Sequence, residues 1–353
     1  MFNLDDAKTY PQADPGNMRG HIEALPQQCA DAWHLVQGID FPAAYRSPRL
    51  VAVLGMGGSA IGGALLTGLV AGTCPVPVMP IGGYDLPAYV REDALVIASS
   101  HSGNTEETLA LATQAEERGA RIVAVTSGGE LAAQAETKGW PLVRFHYASA
   151  PRAALGYSFT LLWGILHRLD ISKDTPSDLE EAIAVMTAWQ QELVPGVPAD
   201  HNPAKQLAWR LVDRAPVIYG AGFLAPVARR WKGQFNENSK TWSFWEELPE
   251  LNHNAVVGYE MPESVTDRIA VIFLRTPLED ERIQARWEAT ADLLHKADVA
   301  LETVWGHGTG KLAQMLSLIH FGDYVSYYLA LLNRIDPTPV EAIDYLKQRL
   351  AKP

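Results

Sequence analysis

Small hydroxyl side chains are concentrated in the segment SSHSGNTEET (99–108). An apolar run typical of a buried strand, ALVIA (94–98), precedes them, and an amphipathic pattern typical of a helix follows. A helix needs only one hydroxyl at its N-terminal cap. Because this turn supplies several, it predicts a binding site at the start of a helix, with Ser100, Ser102 and Thr105 as candidate ligands.

A second turn, GMGGSAIGG (55–63), has the same setting, because it follows the apolar run LVAVL (50–54) and opens a helical pattern. If both strands belong to one parallel sheet, the turns meet at its carboxyl edge, and Gly58 and Ser59 join the hydroxyls of the first turn. Helix N-termini offer free N–H groups and the positive end of a dipole. The two turns together therefore predict a site for a phosphate monoester.

The same glycines also fit, loosely, the G-x-G-x-x-A pattern of dinucleotide-binding turns. A nicotinamide enzyme further needs an acidic residue at the end of the next strand, where it holds the ribose hydroxyls. Here that strand ends in MPIGGY (79–84), and the first acid is Asp85. An NAD-dependent dehydrogenase remains an alternative with a single supporting feature, and binding of NADH would test it.

Both halves of the chain carry apolar runs without alternation, separated by helical patterns. This arrangement is typical of parallel sheets covered on both faces. Gly220 and Gly222 follow a strand candidate 165 residues after Gly55 and Gly57, which suggests an internal duplication. The sequence therefore predicts two similar α/β domains. The strand candidates are 50–54, 77–81, 94–98, 121–125, 141–145, the start of 216–223, 269–274 and 299–304.

The positions of proline and glycine residues indicate where the domains meet. Residues 1–45 are predicted to form helices that pack on a first domain, 46–193. The proline-rich segment VPGVPADHNPAK (194–205) is predicted to be a linker, followed by a second domain with C-terminal helices, 206–353.

We expect Glu246 and Glu247, beside Pro249, to lie in a solvated turn, and His320 to be a core residue.

Composition narrows the functional classes. The chain has 353 residues with 41 acidic against 29 basic side chains, a net charge of −12 without a basic run, so no nucleic-acid partner is expected. Two cysteines and the absence of a signal-like N-terminus point to the cytoplasm. The uncharged run 50–84 could cross a bilayer by length, but its nine glycines and three prolines predict a buried α/β segment, and no membrane is expected.

The two turns together resemble the signature of the sugar isomerase (SIS) domain, which binds phosphosugars through serine and threonine. With APRAALGYSF (150–159), NENSK (236–240) and LPELNHN (248–254), the chain resembles the bifunctional phosphoglucose/phosphomannose isomerase family. The resemblance implies two flavodoxin-like SIS domains in tandem. It also implies an aldose–ketose isomerase that converts glucose 6-phosphate, with mannose 6-phosphate as a further candidate, into fructose 6-phosphate without metal or cofactor.

The resemblance also implies the catalytic residues. Glu237 matches the base that moves a proton between C2 and C1, a role that suits a carboxylate of raised pKa. His253 matches the acid/base that opens the sugar ring. In this family that histidine comes from the neighbouring subunit, so the resemblance implies a homodimer. Arg152 matches the cation that stabilises the enediolate.

Two further assignments concern the C-terminal segment DPTPVEAIDYLKQRL (336–350). Lys347 matches a lysine that assists ring opening, and a threonine shortly before it selects the sugar epimer in the family. Thr338 is the candidate for that threonine, but it lies nine residues upstream of Lys347, whereas a separation of roughly seven residues along a helix is expected. Val340 occupies the nearer position, so dual specificity stays open.

Two other functions share SIS domains. A sugar-phosphate sensor of this kind normally carries a basic helix-turn-helix, which residues 1–45 lack. A glucosamine 6-phosphate synthase needs a glutaminase domain with an N-terminal cysteine, whereas this chain begins Met-Phe-Asn-Leu. Binding of fructose 6-phosphate without turnover would favour the sensor. Zinc, P-loop and nucleophile-elbow motifs are absent from the sequence, which is consistent with a metal-free isomerase.

Overall fold

The computed structural model describes residues 2–6, 8–173 and 175–350. Two parallel sheets form its framework, and the predicted α/β fold is confirmed. The first sheet has the order β2-β1-β3-β4-β5, which is the flavodoxin-like order, and the second has the order β7-β6-β8-β9. The strands are β1 (Leu50–Leu54), β2 (Val78–Ile81), β3 (Ala94–Ser100), β4 (Arg121–Thr126), β5 (Leu142–Arg144), β6 (Ala215–Ala221), β7 (Phe244–Leu248), β8 (Ile269–Arg275) and β9 (Ala300–Trp305).

Helices precede, connect and cover these strands. Short 3₁₀ turns at Pro151–Ala153 and Glu250–His253 matter for the site described below. The α-helices are α1 (Tyr10–Ala13), α2 (Met18–Glu23), α3 (Leu25–Gln37), α4 (Gly57–Val70), α5 (Glu106–Glu117), α6 (Gly129–Lys138), α7 (Leu155–Arg168), α8 (Pro176–Leu193), α9 (Pro203–Arg210), α10 (Ala225–Glu237), α11 (Glu263–Thr266), α12 (Glu281–Lys296), α13 (Lys311–Leu332) and α14 (Glu341–Leu350).

Strand pairing brings the two polar turns together. Strand β1 pairs with β3 in parallel, with Leu54 opposite Ala98. All seven residues of β3 are buried because helices cover both faces of the sheet. The turns that follow β1 and β3 therefore leave the sheet as neighbours at its carboxyl edge.

Helix α13 forms the centre of the core. Every residue from Leu312 to Leu332 is buried, including the polar side chains of His320, Asp323 and Ser326. It packs against α8, α9 and α10, so it joins elements from both halves of the chain. By length and hydropathy α13 could cross a membrane, but here it lies entirely inside the protein.

One local expectation was wrong. Glu246 and Glu247 lie in strand β7, not in a solvated turn. This strand is at the edge of the second sheet and buries only Leu248, so it lacks the apolar run by which the other strands were recognised. Helix α9 begins at Pro203, near the end of the segment predicted as a linker, where the side chain of Asn202 accepts hydrogen bonds from the first turn. The linker itself stays a prediction.

Candidate active site

The hydroxyl turn after β3 is held by its own side chains. Ser100 Oγ lies 2.9 Å from Thr105 Oγ1 and accepts a hydrogen bond from the N–H of Gly103 at 3.1 Å. Ser102 Oγ accepts from the N–H of Asn104 at 3.2 Å, and Ser102 is exposed. Thr105 precedes α5 but makes no side-chain cap to it. Its hydroxyl is therefore arranged with Ser100 and not with the helix backbone.

The glycine-rich turn after β1 lies directly beside this hydroxyl turn. A Cβ atom on Gly55 would lie 3.1 Å from both the Cβ of Ser59 and the carbonyl oxygen of Ser99. Ser59, in the first turn of α4, is 5% exposed. Gly57 has a φ of 54°, in the left-handed region that favours glycine. The starts of α4 and α5 and their hydroxyls thus share one edge of the sheet.

Arg152 is fixed next to the glycine-rich turn. A Cβ on Gly58 would lie 2.8 Å from the carbonyl of Pro151, so the 3₁₀ turn that carries Arg152 packs tightly on α4. Arg152 is 3% exposed. Its Nε donates to Asn238 Oδ1 at 2.8 Å, and its Nη2 donates to the carbonyls of Pro337 and Thr338 at 2.8 and 2.9 Å.

Glu237 faces the remaining nitrogen of this guanidinium. It is the last residue of α10, and its Oε2 lies 3.5 Å from Nη1 of Arg152. One third of the Glu237 side chain is exposed, so the carboxylate is open to a ligand. Burial lowers the pKa of Arg152, while the Glu237 carboxylate acts in the opposite direction. The guanidinium stays charged, because arginine loses its proton only far above neutral pH.

A cleft of about 220 Å³ connects Arg152 and Glu237 with the glycine-rich turn. Both halves of the chain contribute to its walls, and most of its ionisable groups are cationic, which suits an anionic ligand despite the net charge of −12. The lining residues are Gly57, Gly58, Ala60, Ile61, Arg152, Arg229, Arg230, Lys232, Gly233, Gln234, Glu237 and Trp245.

A buried polar network supports the cleft from behind. Arg230 donates to both carboxylate oxygens of Asp323 on α13, at 3.0 and 3.2 Å, and to the carbonyl of Arg152 at 2.8 Å. Gln234 donates to Asp323 as well, at 2.8 Å. Burial raises the pKa of Asp323, and Arg230 opposes this effect. Asn238, which orients Arg152, donates to Ser326 at 3.0 Å, so the network anchors α10 and Arg152 on the central helix.

Family models match both halves of the chain. The model of the SIS domain matches residues 46–153, and the model of the bacterial phospho-glucose isomerase C-terminal SIS domain matches residues 200–350. A bifunctional phosphoglucose/phosphomannose isomerase from Caldicellulosiruptor bescii is 40% identical over 329 residues, covering 93% of this chain and 97% of that protein. The chain belongs to the bifunctional phosphoglucose/phosphomannose isomerase family.

Further comparisons agree with this membership. A family member from Aquifex aeolicus is 33% identical over 299 residues, or 84% of this chain and 89% of that protein. The crystal structure of a hypothetical protein from Thermus thermophilus is similar with a TM-score of 0.73 and 16% identity, covering 99% of this chain and 94% of that one. At that identity the similarity supports the fold alone.

Not all of the residues predicted for a member of this family lie at the cleft. His253 is exposed at the end of the 3₁₀ turn Glu250–His253, outside the cleft lining. Lys347 lies on α14, which buries none of its residues. The carbonyl of Thr338 binds Arg152, but its side chain packs on Gly16, where a Cβ would lie 2.6 Å from the Thr338 Cβ. The lining also lacks the four hydroxyl residues Ser59, Ser100, Ser102 and Thr105, and the predicted role of every one of these site residues stays a prediction.

Lys240 is a residue at this site that sequence reasoning missed. Its Nζ donates to the carbonyl oxygens of Glu237 at 2.8 Å and of Asp336 and Pro337 at 3.1 Å each. Burial lowers the pKa of Lys240 to about 8. The available signal was its place in the motif NENSK, which also contains Glu237 and Asn238.

Proposed function

We propose that this protein is an aldose–ketose isomerase that interconverts glucose 6-phosphate and fructose 6-phosphate and accepts mannose 6-phosphate as a second aldose. The observation that carries the proposal is the pairing of Arg152 and Glu237, 3.5 Å apart, on a cleft that begins at the glycine-rich turn. The names of the relatives from Caldicellulosiruptor bescii and Aquifex aeolicus support both substrates.

The hydroxyl turns suit the phosphate end of the substrate. In our proposal Ser59, Ser100, Ser102 and Thr105 donate hydrogen bonds to the phosphate oxygens, and Gly58 contributes its backbone N–H at the start of α4. Ser100 and Thr105 are already within 2.9 Å of each other, so an oxyanion would bridge two hydroxyls that are in place. The starts of α4 and α5 add free N–H groups for the same anion.

The chemistry then needs one base and one fixed cation. Glu237 removes the proton from C2 of the open-chain aldose, and the electron pair forms the C1–C2 double bond while the carbonyl oxygen takes up the negative charge. Arg152 stabilises this enediolate, because its other donors are already bound and its position is fixed before the reaction. A proton then passes from the C2 hydroxyl to the oxygen on C1, and Glu237 returns its own proton to C1 as the C2 carbonyl forms, which yields the ketose.

Ring opening requires a separate acid/base group. We propose that His253 supplies it across a homodimer interface, since it is exposed and outside the cleft of its own chain. Lys347 is proposed to assist from α14. The apolar residues Ile343, Leu346 and Leu350 on α14 are 38%, 56% and 76% exposed, which fits a surface that a second subunit covers.

Turnover assays on the purified protein test this function. Coupled assays should detect fructose 6-phosphate from glucose 6-phosphate and from mannose 6-phosphate. A parallel fluorescence titration with fructose 6-phosphate measures binding alone. Binding without turnover of either aldose would contradict the proposal and favour a sensor.

We further propose that the protein lies in the cytoplasm, where its phosphosugar substrates would be found. Absence of a tagged chain from the cytoplasmic fraction would contradict this proposal.

A further inference from the structure

The ammonium group of Lys240, an exposed residue, contacts four backbone carbonyls from two segments. Two belong to the end of α10, where Nζ lies 2.8 Å from the Glu237 oxygen and 3.4 Å from the Asn238 oxygen. The other two belong to Asp336 and Pro337, about 100 residues later in the chain, at 3.1 Å each. A lysine at a helix C-terminus both satisfies free carbonyls and neutralises the negative end of the dipole.

The same segment also holds Arg152. The carbonyl of Pro337 accepts hydrogen bonds from Arg152 Nη2 at 2.8 Å and from Lys240 Nζ at 3.1 Å. Arg152 contacts the carboxylate of Glu237, whereas the ammonium group of Lys240 contacts the backbone carbonyl of Glu237. The carbonyl of Pro337 therefore fixes Arg152, the cation of the proposed reaction, by a direct hydrogen bond. The same carbonyl is connected through Lys240 to the end of α10, which carries the base Glu237.

Lys240 itself does not line the cleft between Arg152 and Glu237. It faces a separate open groove of about 530 Å³, whose lining includes the charged groups of Asp213, Arg214 and Arg334. Its backbone has a φ of 52°, which directs the side chain back over the end of α10. The contacts of its ammonium group are backbone carbonyls that also border Glu237 and Arg152, which points to a role in fixing their geometry.

We propose that Lys240 is a positioning residue for the isomerase, holding the C-terminus of α10 to Asp336 and Pro337 so that Glu237 stays against Arg152. The inference rests on the proposed function. Its expected effect is on the rate of the proton transfer, because a displacement of about 1 Å in a reacting group can cost 10²-fold in rate. Substrate affinity should change little, since the phosphate turns lie in the other half of the chain.

The pH dependence of the rate supplies a readout that a purely structural role would not move. Burial and the Arg152 guanidinium lower the pKa of Lys240 to about 8, against Asp336, Glu237 and Glu341, which raise it. As pH rises through 8, the ammonium loses its proton and its carbonyl contacts weaken, so kcat should decline. An arginine at this position keeps its charge across that range, so its profile should lack the decline.

The test compares Lys240→Met and Lys240→Arg with Lys296→Met, an exposed lysine at the end of α12. We expect Lys240→Met to lower kcat about 10- to 100-fold with little change in KM. Lys240→Arg should recover most of kcat and lose the alkaline decline, and Lys296→Met should match the wild type.

The outcomes separate the inference from the function beneath it. Wild-type protein without turnover would remove the proposed function, and the inference with it. An active wild type with unchanged kcat in Lys240→Met, or with a raised KM alone, would overturn only the inference. If Lys240→Met fails to fold, Lys240→Arg is the deciding variant. A decline of its kcat above pH 8 like that of the wild type would overturn the inference, and loss of that decline would support it.

Discussion

Arg152 shows how a single residue can be both buried and reactive. Three hydrogen bonds to Asn238, Pro337 and Thr338 replace the water that its guanidinium loses, and one nitrogen is left for Glu237. The ammonium group of a lysine cannot reproduce this planar set of hydrogen-bond donors. The arrangement gives the cleft a cation whose orientation is set before any substrate arrives.

Arg152→Lys should therefore fail despite keeping the charge. We expect kcat to fall about 10²-fold or more, because the enediolate loses a fixed donor. The carbonyls of Pro337 and Thr338 lose their buried partner, which should lower the free energy of unfolding by roughly 1–3 kcal/mol. Steady-state kinetics and urea unfolding measure the two effects. Arg282→Lys, at an exposed site, is the control; equal kinetics in both variants would contradict this role.

The sequence was informative about residues within short motifs and uninformative about distant partners. Glu237 and Arg152 could be predicted because each lies in a recognisable segment. Lys240 lies in the same motif as Glu237, but its role depends on the carbonyls of Asp336 and Pro337, about 100 residues away. The side chain of Thr338 packs on Gly16 of the N-terminal segment, and no local pattern predicts that contact.

At the scale of elements, the site depends on how closely α4 approaches the 3₁₀ turn of Arg152. The atom nearest to a Cβ on Gly58 would be a backbone carbonyl, at 2.8 Å, and a backbone cannot move as a flexible side chain can. Glycine is therefore required at position 58 for packing, although alanine would favour the helix by its intrinsic propensity.

Gly58→Ala should separate α4 from Arg152. We expect kcat to fall at least several-fold and the thermal midpoint to drop, because the turn Pro151–Ala153 must shift. Gly196→Ala is the matched control, since nothing lies within 4 Å of a Cβ there. Activity and melting temperature like those of the control would show that the contact is dispensable.

The predictability of the elements follows from burial. Strands such as β3, buried along its whole length, appear in the sequence as uninterrupted apolar runs and were predicted within two residues. Strand β7 lies at a sheet edge and buries only one of its five residues, and its sequence FWEEL contains no such apolar run. The predicted division into domains at 194–205 stays a prediction.

At the scale of the whole molecule, the proposed active site is complete only in a dimer. Glu237→Gln and His253→Ala should each be inactive as separate homodimers. Random exchange of subunits should restore about a quarter of wild-type activity, because half of the dimers then contain one site with both intact residues. Denaturation and joint refolding, followed by activity assays, measure this. No recovery in verified mixed dimers would place both residues in the same chain's site.

The buried core also predicts a pH dependence of stability. His320 on α13 is 1% exposed and lies 3.0 Å from the carbonyl of Ile22, and burial lowers its pKa to about 4. The unfolded chain takes up this proton near pH 6.5, so stability present above 6.5 is lost as pH falls towards 4. The shift corresponds to roughly 3 kcal/mol.

His320→Gln should remove this contribution. Urea unfolding of the variant at pH 6.5 and 4.5 should show a smaller loss of stability than that of the wild type. The comparison uses the difference between the two pH values, so it is independent of any change that the substitution makes at both. Equal losses in the two proteins would show that His320 does not bind its proton differently on unfolding.

In the proposed reaction Glu237 moves the proton between C2 and C1, while the two hydroxyl turns bind the phosphate of the substrate. Glu237→Gln keeps the size of the side chain and removes the base, with Glu288→Gln on α12 as the control. The decisive measurement is turnover of glucose 6-phosphate together with fructose 6-phosphate affinity. We expect Glu237→Gln to keep the affinity and to lose turnover by about 10²–10⁴-fold. Near-normal turnover in Glu237→Gln would contradict it.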